Sequence, residues 1–98
     1  MYLIVTRAFP PELGGMQSLM WGLTKGMSKN FMIKVFADYQ KNHKEFDKKE
    51  NFSIERVGGI KFLRKIRKAQ LVNEFLKENK VQGVIADHWK SLELIKTS

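Results

Sequence analysis

The feature that most constrains this chain is a set of four short apolar segments separated by stretches of helical period. "YLIV" (residues 2–5), "FMIKVFA" (31–37), "SIERVGG" (53–59) and "VQGVIAD" (81–87) read as strands. The first is a continuous apolar run, the pattern of a strand covered on both faces, as in a parallel sheet. After it, Met16, Leu19, Met20, Leu23 and Met27 recur at i, i+3, i+4, i+7 and i+11, one face of a helix that opens at Gly15. Later, Phe62, Ile66, Ala69, Val72 and Leu76 recur at i, i+4, i+7, i+10 and i+14, which predicts a second helix in "IKFLRKIRKAQLVNEFLKENK". The polar, charged segment "DYQKNHKEFDKKENF" (38–52) reads as a mobile surface loop, and "HWKSLELIKTS" (88–98) begins a last helix. The order β-α-β-loop-β-α-β-α predicts an α/β domain: a Rossmann-like open, mainly parallel sheet with right-handed crossovers and helices on both faces. Gly22 and Gly26 lie off the apolar face of the first helix and cost about 1 kcal/mol each against Ala. Close packing against a neighbour is the expected reason for them.

In a sheet of this kind ligands bind beyond the C-terminal strand ends, near a switch in strand order. Two segments belong there: "RAFPPELGG" after the first strand and "DHWKS" after the fourth. A helix N-terminus carries free N–H groups and a partial positive charge. Gly14 and Gly15 would admit an oxygen-rich anion to that backbone, or they serve a tight turn that needs positive φ. Neither G-x-G-x-x-G nor G-x-x-x-x-G-K-[ST] is present, so this is not a dinucleotide fingerprint or a P-loop.

Composition narrows the function classes. The 98 residues make one small domain or part of one, and their 43% hydrophobic content suits a packed core. No run of about 18 apolar residues predicts a spanning helix. The N-terminus has no basic n-region and no small-residue cleavage site, so a signal peptide is not expected. Cysteine is absent, which excludes disulfides, thiol catalysis and cysteine-based zinc sites and fits a reducing cytoplasm. The net charge of +8 describes either a solvated surface or an acidic partner. Nucleic acid is not that partner by pattern: no RRM, helix-turn-helix or KH signature occurs, and the aromatics are not interleaved with the basic residues.

"LIVTRAFPPELGGMQSLMWGLTKGMSK" resembles the opening of the family 4 glycosyltransferases, which have the GT-B fold. There the first strand leads through an F-P-P-x-x-G-G loop into the first helix. "GVIADHWKS" (83–91) is similar to a second segment of the same family. The resemblance implies the front part of the N-terminal, acceptor-side domain of a retaining transferase. Such an enzyme moves a sugar from a nucleotide-sugar donor to a glycan or lipid-linked acceptor. By that carry-over Gly14 and Gly15 form the loop near the donor phosphate and sugar. Family members generally need no bound metal, so neither metal nor cofactor is expected. Many carry a histidine in an H-x-H-x-W pattern after the later strand. Aligned on Trp89, that position holds Asp87, a departure from the pattern, with His88 beside it. Asp87 and His88 are therefore the candidate catalytic residues. The alternative for Asp87 is a cap on the following helix, and for His88 a plain loop histidine. Trp89 reads as packing or sugar stacking.

The run "KFLRKIRK" puts Lys61, Arg64, Lys65 and Lys68 together beside an apolar face. That is either a solvated helix face or a basic amphipathic surface for anionic lipid, which would put a cytoplasmic protein peripherally on a membrane. The remaining strands of such a domain and the donor-binding domain are missing from these 98 residues. Residues 1–98 alone are thus expected not to transfer sugar. The alternative function is a non-catalytic α/β module that binds a phosphate ligand or a membrane surface.

Overall fold

The computed structural model describes residues 1–87. Strand β1 (Tyr2–Thr6) leads to helix α1 (Gly15–Ser28). Then come β2 (Ile33–Asp38), α2 (His43–Lys48), β3 (Ser53–Val57), α3 (Lys61–Glu78) and β4 (Gly83–Ala86). The four strands form one sheet in the order β3-β2-β1-β4, and every pairing is parallel. In register, Tyr2 lies opposite Ile33 on one side and Gly83 on the other. The chain steps outward from β1 through β2 to β3, then crosses back over the sheet to place β4 on the far side of β1. The switch in strand order therefore falls between β1 and β4. The fold is a Rossmann-like α/β sheet flanked by helices, as the alternation of strand and helix predicts.

Period-two alternation divides the core into two layers. Ile4, Ile33, Val35 and Ala37 pack with Met20, Phe9 and Phe52 on the α1 side. Leu3, Val5 and Phe36 pack with Ala69 and Val72 of α3 on the other. Asp38 shares the parity of Phe36, so the strand delivers its carboxylate to the α3 side at the C-terminal edge.

Four expectations change. The segment 38–52 is not a mobile loop: it contains α2, and Phe46 and Phe52 meet the ring of Phe9 edge-on at centroid distances of 6.1 and 6.3 Å. The buried face of α1 is rotated from the predicted stripe. Met20, Thr24 and Met27 face inward, whereas Met16 and Leu23 are exposed and Leu19 is 63% exposed. Thr24 tolerates burial because its hydroxyl donates to the Met20 carbonyl at 2.7 Å. In α3, Phe62 is 71% exposed and Lys68 takes an inward position beside Ala69 and Val72. Among the described residues Gly22 and Gly26 have no close neighbour: a Cβ at either would meet nothing within 4 Å. Close packing within residues 1–87 therefore does not explain them. Replacing both by Ala should stabilise the protein by about 2 kcal/mol, the summed helix-propensity difference. A thermal melt checks this, and an unchanged or lower Tm would mean the helix glycines serve a contact outside this fold.

Candidate functional site

The loop after β1 is held from several directions. Phe9 is fully buried. The Gln40 amide nitrogen donates to the Phe9 carbonyl at 2.7 Å, and its Oε1 accepts from the Glu12 N–H at 2.6 Å. Arg56 donates to the Pro10 carbonyl at 2.5 Å. Its guanidinium also grips both carboxylate oxygens of Asp47, at 2.7 and 3.1 Å, and reaches the Asp38 carbonyl at 3.2 Å. The Pro10–Pro11 bond is cis. Rigidity here comes from these clamps as well as from the prolines.

The glycines answer the turn question. Gly14 is extended and neither Gly14 nor Gly15 has a left-handed φ, so a positive-φ turn does not explain them. A Cβ on Gly14 would meet only the movable end of Gln17, and one on Gly15 would meet nothing within 4 Å. No side chain caps the helix, and its first turn carries no acid. Among the described residues nothing covers the backbone at Gly15.

Asp87 follows β4 at the same edge. Its Oδ2 accepts from the backbone N–H of Arg7 at 3.2 Å, which ties the two loops together across the switch point. His88 lies outside the described residues, as do Trp89 and the last predicted helix.

The four basic candidates on α3, Lys61, Arg64, Lys65 and Lys68, do not form one solvent-facing patch. Lys68 is 5% exposed; its ammonium donates to the Thr6 carbonyl at 3.2 Å and forms an ion pair with Asp38 Oδ1. Arg64 Nε pairs with Asp38 Oδ2 at 3.2 Å. A spacing of i, i+3, i+4 and i+7 puts Lys61, Arg64, Lys65 and Lys68 on one helix face. That face turns toward the strand ends because Ala69 and Val72 seat the helix there. Of the four candidates for a membrane-facing patch, Lys68 is interior and Arg64 pairs with Asp38. No helix among the described residues is long and apolar enough to cross a membrane.

Two adjoining cavities open at this edge. One, of about 390 Å³, lies against α3 and is lined by Arg7, Asp38, Phe62 and four of the helix's basic residues, Lys61, Arg64, Lys65 and Lys68, among others. The other, of about 420 Å³, shares Arg7, Asp38, Lys61 and Arg64 and extends to Glu12, Met16 and Asp87. The edge therefore brings Asp87 to the basic residues of α3. Gly14 and Gly15 line neither cavity; their neighbours Glu12 and Met16 do. Among the described residues no group of three or more His, Asp or Glu side chains is placed to hold a metal ion.

Sequence reasoning passed over Arg7, Asp38, Gln40 and Arg56. A signal existed for Asp38: a carboxylate at the C-terminal end of a buried strand faces whatever the crossover helix presents. Gln40 and Arg56 gave none, since Gln40 bonds the backbone of a remote loop and Arg56 joins that loop's Pro10 carbonyl to Asp47 and the Asp38 carbonyl. The protein-family models contain no match to this chain, and a search of curated proteins finds none either.

Proposed function

We propose that the chain is the acceptor-side part of a retaining glycosyltransferase that uses a nucleotide sugar. The observation that carries this reading is the meeting of the F-P-P-E-L-G-G loop with Asp87 at the switch point, through the Arg7 N–H. Ligand sites of open α/β sheets form in that crevice. On this reading the donor phosphates approach the open backbone at Gly15 from a facing domain. The acceptor lies at the C-terminal strand ends, where Asp87 accepts a hydrogen bond from its hydroxyl, and His88 is its expected neighbour in that role. No cofactor enters the scheme. A glycan or lipid-linked acceptor is the substrate class, and a cytoplasmic location, at a membrane surface where the acceptor is a lipid, accords with it.

The test is transfer of labelled sugar from a panel of nucleotide sugars by the protein expressed from its full reading frame. Product with retained anomeric configuration is expected, and failure with every donor would overturn the reading. Gly15→Val should then lower turnover by on the order of a hundredfold, the effect of displacing a bound group by an ångström. Its fold should persist, because among the described residues a Cβ on Gly15 would meet nothing within 4 Å. Wild-type turnover in this variant would remove the loop from the mechanism. A second reading, an anion-binding module without catalysis, is favoured by the basic cavity itself and would stand if binding persisted without transfer.

A further inference from the structure

We infer that Gln17 is the latch that holds the end of the F-P-P-E-L-G-G loop to α1, and that position 14 is glycine so that the Gln17 amide can seat against the backbone there. A role for this latch in turnover rests on the transferase reading; the latch itself does not.

Beyond Pro10 the loop has no apolar anchor. Phe9 is buried and Arg56 grips the Pro10 carbonyl, but residues 12–16, 18 and 19 are all exposed, and Leu13 is 94% exposed. In the stretch 12–19 Gln17 alone is half-buried. A glutamine withdraws from water while Leu13, Met16 and Leu19 stay out only if its amide has partners. It is engaged at both ends. Its Nε2 donates to Glu12 Oε1. Its Oε1 lies against Gly14: a Cβ built there would stand 3.0 Å from the Gln17 Cδ and closer still to the oxygen. Glu12 is itself fixed, because its N–H donates to Gln40 Oε1 at 2.6 Å and Gln40 Nε2 donates to the Phe9 carbonyl. Gln40 follows β2, so a run of polar contacts leads from the end of that strand through Glu12 and Gln17 to the first turn of α1.

Residue type and position both follow from this contact. Gln17 stands three residues after Gly14, the N-cap of α1. At that position a glutamine or glutamate side chain turns back toward the cap, as in a capping box. For the helix alone glutamate would be the better residue, since negative charge favours an N-terminal turn. It would also face Glu12 with a second carboxylate, and neither could donate. Glutamine gives up the charge and supplies the N–H that Glu12 accepts. Gly14 is extended, a conformation open to any residue, so its lack of a side chain has no backbone cause. The space its Cβ would fill is taken by the Gln17 amide. The two glycines therefore differ: Gly14 receives Gln17, whereas a Cβ on Gly15 would meet nothing within 4 Å among the described residues.

The experiment is amide hydrogen exchange in the protein expressed from its full reading frame. It is resolved at Glu12 and Ser18, whose N–H groups donate to Gln40 Oε1 and to the Gly14 carbonyl. Gln17→Ala and Gln17→Glu should each speed exchange there by about tenfold, the scale of one lost hydrogen bond to a charged group, with β1 unchanged. Exchanging the two groups, Glu12→Gln with Gln17→Glu, restores a donor and an acceptor and should return the wild-type rate. Gly14→Ala should act as Gln17→Ala does, because the methyl group displaces the amide, and should add nothing in the double variant. Unchanged exchange in Gln17→Ala, or no recovery in the exchanged pair, overturns the latch. Wild-type exchange in Gly14→Ala, or additive effects at 14 and 17, overturns the reason given for Gly14. In the transferase reading Gln17 is a positioning residue: Gln17→Glu should lower turnover at unchanged KM, and the exchanged pair should recover it. Recovered exchange without recovered turnover overturns that assignment. The exchange readouts involve no sugar transfer, so a failed transferase assay leaves them standing.

Discussion

Asp38→Ala should destabilise the protein by about 3–5 kcal/mol, the cost typical of removing one partner from a buried ion pair. The carboxylate sits at the C-terminal end of β2 and joins Lys68 to Arg64. Lys68 is almost wholly buried and keeps only the Thr6 carbonyl when Asp38 is gone. Arg64 is more exposed and turns toward water, so the penalty falls on Lys68. Domains of ordinary stability hold about 5–15 kcal/mol in reserve, so the variant sits close to its unfolding threshold. Equilibrium urea unfolding measures the loss, and a change below about 1 kcal/mol would mean that water reaches Lys68 and the pair behaves as a surface one. The companion variant Asp38→Leu/Lys68→Met removes both charges and fills the space. It should recover most of the loss, since apolar replacement of a whole buried pair is often neutral or stabilising. The two variants together separate the cost of an orphaned ammonium from the worth of the pair.

Much of this architecture was legible in the sequence. Apolar runs such as "YLIV" give strands by their continuity, and the parallel order follows from the helices read after the first and third strands, whereas the helix between the second and third was read as a loop. The meeting of residues near 7 and 87 at one edge followed from topology alone. The helix faces were less legible. In α1 the stripe through Met16, Leu19 and Leu23 has the right period, yet the helix is seated by Met20, Thr24 and Met27. A threonine bonded back to its own helix can be buried as readily as a leucine, and hydropathy does not register that. The lysine at 68 misled for a related reason: its period placed it on the apolar side, but only the position of Asp38 decides that it is interior. The segment 38–52 looked mobile because its charges dominate its composition, while Phe46 and Phe52 do the anchoring.

Arg56→Lys should lower stability by about 2–4 kcal/mol, although it conserves the charge, because one ammonium cannot reproduce a bidentate fork and two carbonyl contacts at once. The Arg56 side chain is 3% exposed, and its donors reach Asp47 of α2, the end of β2 and the Pro10 carbonyl. Its guanidinium also lies 5.7 Å from the centre of the Phe9 ring. These contacts join three segments that are separate in sequence: the F-P-P loop, α2 and β3. With lysine, the Pro10 and Asp38 carbonyls lose a donor in a setting that water reaches poorly, and leaving such groups unpaired costs about 1–3 kcal/mol each. The loss should be local first. Amide hydrogen exchange is expected to rise in residues 9–13 and 43–48 before it rises in β1, because the sheet keeps its own ladder. Uniform acceleration across the sheet would show that Arg56 supports the whole fold instead of the loop. In the transferase reading the same variant should lower turnover with Gly14 and Gly15 untouched, since a loop released at Pro10 no longer presents them in one place. Arg56 would then be a positioning residue. Raised exchange in the loop together with unchanged turnover would detach the loop's rigidity from catalysis.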